Sequence, residues 1–126
     1  MTHDELAERI EALEGPCKET DAHIRRAILG KPNAWVEQSR FNGAWCVFDG
    51  TRDAKGRWRL ANDGGSKPFT ASLDAAMALV PEGWDYTIRK RHVELRHPVQ
   101  RAFDTGATGA TPALALCAAA LRARNT

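Results

Sequence analysis

The sequence predicts an α+β fold: a mainly antiparallel sheet of four to five strands with helices on both faces, in one domain spanning residues 1–126. Three observations carry this. Both ends of the chain read as capped helices with apolar residues three and four apart. The middle reads as short alternating runs in adjacent pairs, which favours antiparallel neighbours. A chain of 126 residues with 43% hydrophobic content can bury a core that needs no metal or disulfide staple.

The elements follow in order. Thr2 and Glu5 form a Thr-x-x-Glu capping box, in which each side chain can satisfy the other residue's free backbone donor. Leu6, Ile10 and Leu13 follow at helical spacing, so the first helix runs from about His3 to Glu14. Gly15-Pro16 punctuates, and Pro16 suits the first position of a second helix with Ile24, Ala27 and Ile28 as its apolar stripe. Gly30 can take the left-handed C-cap, and Pro32 prevents continuation. Ala44 to Phe48 is a run of β-formers, and Arg57 to Leu60 alternates, which together predict a hairpin around the turn-like Asp49 to Gly56. Thr70 or Ser72 can cap a third helix, Leu73 to Val80, stopped by Pro81-Glu82-Gly83. Trp84, Tyr86 and Ile88 alternate with polar neighbours, as do Val93 and Leu95, giving two more strands. Val99 to Phe103 reads as an edge strand and Thr105 to Gly109 as a loop. Thr111-Pro112 is an N-cap and first-turn proline. Leu114, Cys117, Ala118 and Leu121 then share one face of a final helix ending near Arg124.

Composition excludes some partners. Lys and Arg number 18 against 16 Asp and Glu, and a net charge of +2 is too small to point to nucleic acid. Cys17, Cys46 and Cys117 are odd in number and widely spaced, which fits free thiols in a reducing cytoplasm. The first ten residues lack the apolar core of a secretory signal. The longest apolar stretch, Ala113 to Leu121, is too short to span a bilayer. A cytoplasmic location follows as the expectation.

Two segments carry a family resemblance. TASLDAAMALVPEGW, from Thr70 to Trp84, and ATPALALCAAALRAR, from Ala110 to Arg124, resemble the small phage ABA sandwich domain proteins of bacteriophages and prophages. The N-terminal helix, the Gly-Pro and a second helix ending in Leu-Gly fit the same layout. The resemblance implies an α/β/α sandwich and a phage or prophage origin. It brings no activity and no catalytic residues, because the matched segments are caps and apolar helix faces.

Several constellations suggest chemistry. Asp104-Thr105-Gly106-Ala107 resembles the Asp-Thr-Gly-Ala of retroviral-type aspartic proteases, but that chemistry needs paired carboxylates on loops between strands. A Gly-rich lead into the last helix is the simpler reading. Asp49, Thr51, Asp53 and Gly56 hint at a calcium loop, yet Ala54 and Leu60 occupy the positions that need Gly and Glu. Gly106 to Thr111 precedes a helix start, where free amides could hold a phosphate, but the spacing fits no nucleotide fingerprint. His3, His23, His92 and His97 lack metal-ligand spacing, so no metal site and no cofactor is expected. Of four tryptophans, Trp45, Trp58 and Trp84 fall on strands where packing is the default. Trp35 is the one expected near the surface.

Arg89, Lys90, Arg91, Arg96 and Arg101 form the one local charge imbalance, with Glu94 the only acid among them. Guanidiniums suit bidentate recognition of phosphate or carboxylate. The plain alternative is a solvated basic face. The candidate ligand residues are therefore Arg89, Arg91, Arg96 and Arg101, with Thr105 and Thr108 as neutral donors. The expected function is that of a non-enzymatic, phage- or prophage-encoded accessory protein. It would bind an unknown host or phage protein through its surface, with no membrane partner and with homo-oligomerisation open. Sequestration of a small anionic, nucleotide-type ligand is the alternative, and a hydrolase with an unrecognised site is a third.

Overall fold

The computed structural model describes residues 2–124 other than Pro32, Asp53, Arg57 and Ser66, and describes residues 51–52 and 58–65 by backbone alone. In chain order its elements are α1 (His3–Glu11), α2 (Lys18–Leu29), β1 (Ala34–Gln38), β2 (Trp45–Arg52), β3 (Trp58–Gly65), α3 (Leu73–Met77), β4 (Asp85–Ile88), β5 (His92–Arg96), a 3₁₀ turn (Arg101–Phe103), β6 (Thr105–Thr108) and α4 (Pro112–Arg124). They form two compact units, Met1–Cys17 with Pro68–Thr126, and Lys18–Lys67.

The strands are antiparallel, as the paired runs predict, but they form two three-stranded sheets, ordered β1-β2-β3 and β4-β5-β6. This replaces the expected single sheet of four to five strands. Two strands account for the difference. Ala34–Gln38, for which the sequence predicts no strand, pairs with β2, setting Trp35 opposite Phe48 with the rings stacked at 5.9 Å. Val99–Phe103 is not an edge strand. Its Arg101–Phe103 part is a 3₁₀ turn, and the third strand is Thr105–Thr108, expected as a loop. Its Gly106 hides the strand in the sequence, since glycine is depleted in strands. Here a Cβ on Gly106 would come within 3.0 Å of Val93 O, so the missing side chain suits the pairing.

The larger unit is built around α4. Ala113 to Leu121 and Ala123 are all buried, so the helix is covered on every side and not on one face alone. The sheet lies on one side of it through β5 and β6, and α1 and α3 pack on the rest. Leu114, Cys117, Ala118 and Leu121 have no exposed surface, and the alanines between them let neighbouring backbones come close. The tightest approach is at Gly109, where a Cβ would lie 2.7 Å from the Ala115 nitrogen. From the sheet, Val93, Leu95 and Ala107 point into this core. From α1 come Leu6, Ala7 and Ile10, placed by an N-cap in which Thr2 Oγ1 accepts from the Glu5 N–H at 3.1 Å. Ser72, not Thr70, caps the short α3. Buried Thr70 instead accepts from the Cys17 N–H at 2.9 Å and donates to the Cys17 carbonyl at 3.3 Å, which fixes the chain after α1.

In the smaller unit α2 packs on β1 and β2, burying Ala22, Ile24, Ala34, Cys46 and Val47. It starts at Lys18, two residues after Pro16, and ends with Gly30 in the left-handed region (φ 65°) as predicted. The Arg26 Nε–H donates to Ala34 O at 2.6 Å and ties the helix to the start of β1. Among the described residues no helix is long and apolar enough to cross a membrane.

Candidate functional site

The basic cluster falls on the β4-β5-β6 sheet and on its connections. Tyr86, Ile88, Val93, Leu95, Thr105 and Ala107 share one face by register, and Val93, Leu95 and Ala107 are buried beside α4. Asp85, Thr87, His92, Glu94, Arg96, Gly106 and Thr108 share the other. That outer face is open: Asp85 is 75% exposed, Glu94 56% and His92 44%. The expectation of helices on both faces therefore does not hold for this sheet, whose charged face is open.

The six candidate residues do not converge. Arg89 and Arg91 flank Lys90 at a two-residue hairpin loop, closed where the Arg89 N–H donates to His92 O at 2.8 Å. All three side chains are exposed, and none has a hydrogen-bond or ion-pair partner among the described residues. Arg96 stands at the other end of β5, four residues or about 13 Å away. It is held there by Asp85 Oδ2 at 3.1 Å and Thr87 Oγ1 at 2.9 Å, with Glu94 at 3.9 Å. Those bonds, and the Tyr86 N–H donating at 2.9 Å, hold the Asp85 carboxyl below the usual carboxylate range. Arg101 is exposed on the 3₁₀ turn. Thr105 and Thr108, three apart on a strand, face opposite ways.

Thr108 is engaged by a residue that no sequence motif singles out. Glu11, at the end of α1, accepts from the Thr108 N–H at 3.0 Å and its hydroxyl at 3.4 Å. The same carboxylate forms a close ion pair with Arg122 of α4, whose other guanidinium nitrogen donates to Gly106 O at 3.2 Å. This pair caps the free edge of β6: a carboxylate takes an outward N–H and a guanidinium takes an outward C=O. The Arg122 hydrogen bond is the main reason the Glu11 carboxyl lies below its ordinary range, partly offset by burial. Glu11 in turn raises the Arg122 value. Nothing local in the sequence marks a pair 111 residues apart.

The amides suggested for phosphate binding are likewise in use. Ala107 and Thr105 sit in the ladder with β5, the Thr108 N–H goes to Glu11, and the Gly109 N–H donates to Arg91 O at 3.0 Å. At the helix start, Thr111 Oγ1 accepts from the Leu114 N–H at 3.2 Å. Asp104, the residue of the protease-like motif, accepts from the His97 N–H at 2.8 Å. His97 Nδ1 accepts from the Val99 and Gln100 N–H groups, so its proton sits on Nε2. The His97 ring also packs edge-on against Trp84 at 5.0 Å. Together these groups hold the 97–104 turn. Asp49 lies within β2 and pairs with Lys31 at 3.5 Å, which is not a calcium-loop geometry; Asp53 is outside the described residues. Among the described residues no three His, Cys, Asp or Glu side chains are placed to share a metal ion. Cys17, Cys46 and Cys117 are free thiols, and the buried Cys117 donates to Phe69 O at 3.2 Å.

An open depression of about 430 Å³ lies over β5 and β6, where Gly106 leaves no side chain, lined among others by His92, Glu94, Arg96 and Asp104. Its mixed charges are largely paired with one another. Among the described residues the hairpin tip, with three consecutive residues, and the single Arg101 are the parts of the cluster whose cations remain available. No family model, no curated protein and no solved structure matches this chain.

Proposed function

We propose that this is a non-enzymatic binding protein of the phage or prophage accessory kind its sequence resembles, working in the host cytoplasm. It engages an anionic group on a macromolecular partner through the β4–β5 hairpin tip. The observation that carries this is the tip itself. Arg89, Lys90 and Arg91 are consecutive and exposed, and no counter-charge pairs with them among the described residues. Two guanidiniums at one turn favour phosphate or carboxylate through paired hydrogen bonds. A surface partner is favoured over a sequestered nucleotide because the amides from Thr105 to Gly109 that would cradle a phosphate are largely engaged within the fold. The hydrolase reading has less support, since Asp104 serves as an acceptor for a turn amide.

The test is retention on an immobilised polyanion and binding of an acidic peptide at low and high salt. The Lys90→Glu/Arg91→Glu variant should bind at least tenfold more weakly, from about 0.5–1 kcal/mol per exposed contact plus the repulsion introduced. Wild-type binding should weaken with salt. Equal binding by a variant with an unchanged melting curve would leave the tip as a solvated turn.

A further inference from the structure

We propose that β4 is a self-association edge: it pairs antiparallel with β4 of a second copy, about a twofold axis at Thr87, to join two three-stranded sheets into one of six strands. The two edges of this sheet differ. The β6 edge is capped by Glu11 and Arg122. The β4 edge is not. The closing bond from the Arg89 N–H to His92 O makes those residues a mutually bonded pair, and alternation gives the same status to Thr87 with Glu94 and Asp85 with Arg96. The N–H and C=O groups of Tyr86 and Ile88 therefore point away from β5. The Tyr86 N–H finds the neighbouring Asp85 carboxylate at 2.9 Å. The Tyr86 carbonyl and both Ile88 groups have no partner among the described residues. The strand carries Tyr, Thr and Ile, which favour pairing, and none of the proline, lysine or bulge that usually blunts an edge.

The register follows from which groups are free. Antiparallel pairing of a strand with its own copy is isologous, so residue positions sum to a constant. Centring on Thr87 sets Tyr86 against Ile88 of the second copy and Ile88 against its Tyr86, so that outward groups meet outward groups. It also sets Asp85 against Arg89 of the second copy, twice by symmetry. Both are exposed; Asp85, which also bonds Arg96 of its own chain at 3.1 Å, has a second carboxylate oxygen, and the Arg89 side chain has no partner among the described residues. Centring on Tyr86 would leave Asp85 facing Thr87. Centring on Ile88 would carry the pairing into the hairpin turn. Charge complementarity and strand length select the same register. The half-exposed Tyr86 ring, 45% accessible, would be covered by Ile88 of the second copy. An interface this small associates weakly.

Sedimentation velocity from roughly 1 µM to 1 mM protein tests this, with dimer expected to accumulate toward the upper end. Tyr86→Pro removes an outward N–H and leaves the bonds of Asp85 and Thr87 to β5 intact, which an edge strand tolerates. It should be monomeric throughout. The central Thr87 pair is of the non-hydrogen-bonded type, with Cα atoms about 4.5 Å apart, within disulfide reach. Thr87→Cys should therefore cross-link between copies under oxidised glutathione, two thiols giving one disulfide and two reduced glutathiones. The wild type and Asp85→Cys should not. A wild type that stays monomeric at 1 mM overturns the proposal. So does a dimer that survives Tyr86→Pro, or one in which Thr87→Cys does not cross-link. If Tyr86→Pro fails to fold, the Thr87→Cys result decides alone. Lys90→Glu/Arg91→Glu, outside the paired strand, should lose anion binding and keep the dimer, so either reading can fail without the other.

Discussion

Glu11→Gln is the change whose consequences can be worked furthest. Three donors converge on this carboxylate: the Thr108 N–H, the Thr108 hydroxyl and the Arg122 guanidinium. The Glu11 and Arg122 side chains are 23% and 24% exposed, so their charges are partly shielded from water. Glutamine keeps one acceptor oxygen but loses the charge and one lone-pair face. A net loss of about 1–2 kcal/mol follows from charge-assisted bonds of this kind, about 4–8 °C in Tm for a chain of this size. The sign with pH is fixed by the lowered Glu11 value. As pH drops below the ordinary value of 4.5, the unfolded chain takes up the proton first, so stability rises with pH through that window. The contribution is fully present above it and is lost as pH falls through the folded value. Urea unfolding of wild type and Glu11→Gln at pH 7 and at successively lower pH measures this. The gap should be full at pH 7 and narrow below 4.5, because a protonated glutamate resembles glutamine. Other carboxylates titrate in both proteins and cancel. A gap of the same size at every pH, or none at pH 7, would show that the ion pair does not hold α1 to β6 and α4.

Two further changes test the core. Leu121→Ala removes a fully buried side chain from a helix covered on all sides, and should cost about 2–4 kcal/mol in denaturant unfolding; a loss under 1 kcal/mol would mean that α4 is not packed as described. Gly109→Ala places a methyl 2.7 Å from the Ala115 nitrogen, which backbone must yield to accommodate, so a loss of about 1–3 kcal/mol is expected. A neutral result there would mean that the loop and the first turn of α4 do not touch.

What the sequence made legible was local. The Thr2 and Ser72 caps, the Gly30 C-cap and the alternation of β4 and β5 appear where their side-chain chemistry predicts. What it concealed depends on neighbours distant in sequence. The final helix carries four apolar positions on one stripe, and it is buried all round because α1, α3 and the sheet each take a side. Thr105–Thr108 looks like a glycine-rich loop until β5 is set beside it. The candidate site split for the same reason. Arginines close in sequence alternate between a hairpin tip and a strand end, and Asp85, which neutralises one of them, lies outside the basic run.

The sheet edges carry this argument to its functional end. An edge strand left bare is a standing invitation to pairing, and natural chains usually blunt it. This chain devotes an ion pair between its first and last helices to closing β6, whereas on β4 only Asp85, from the strand itself, takes an outward N–H, and the Tyr86 carbonyl and both Ile88 groups have no partner among the described residues. If bare edges were simply tolerated here, the β6 cap would bring no advantage beyond the tertiary bonds it makes. The unequal treatment separates the two possibilities in one comparison. Weakening the β6 cap with Glu11→Gln should lower stability without creating a new dimer, because Arg122 still covers Gly106 O. Blocking β4 with Tyr86→Pro should abolish association with little effect on stability. Loss of stability from the β4 change, or loss of association from the β6 change, would reverse the roles assigned to the two edges.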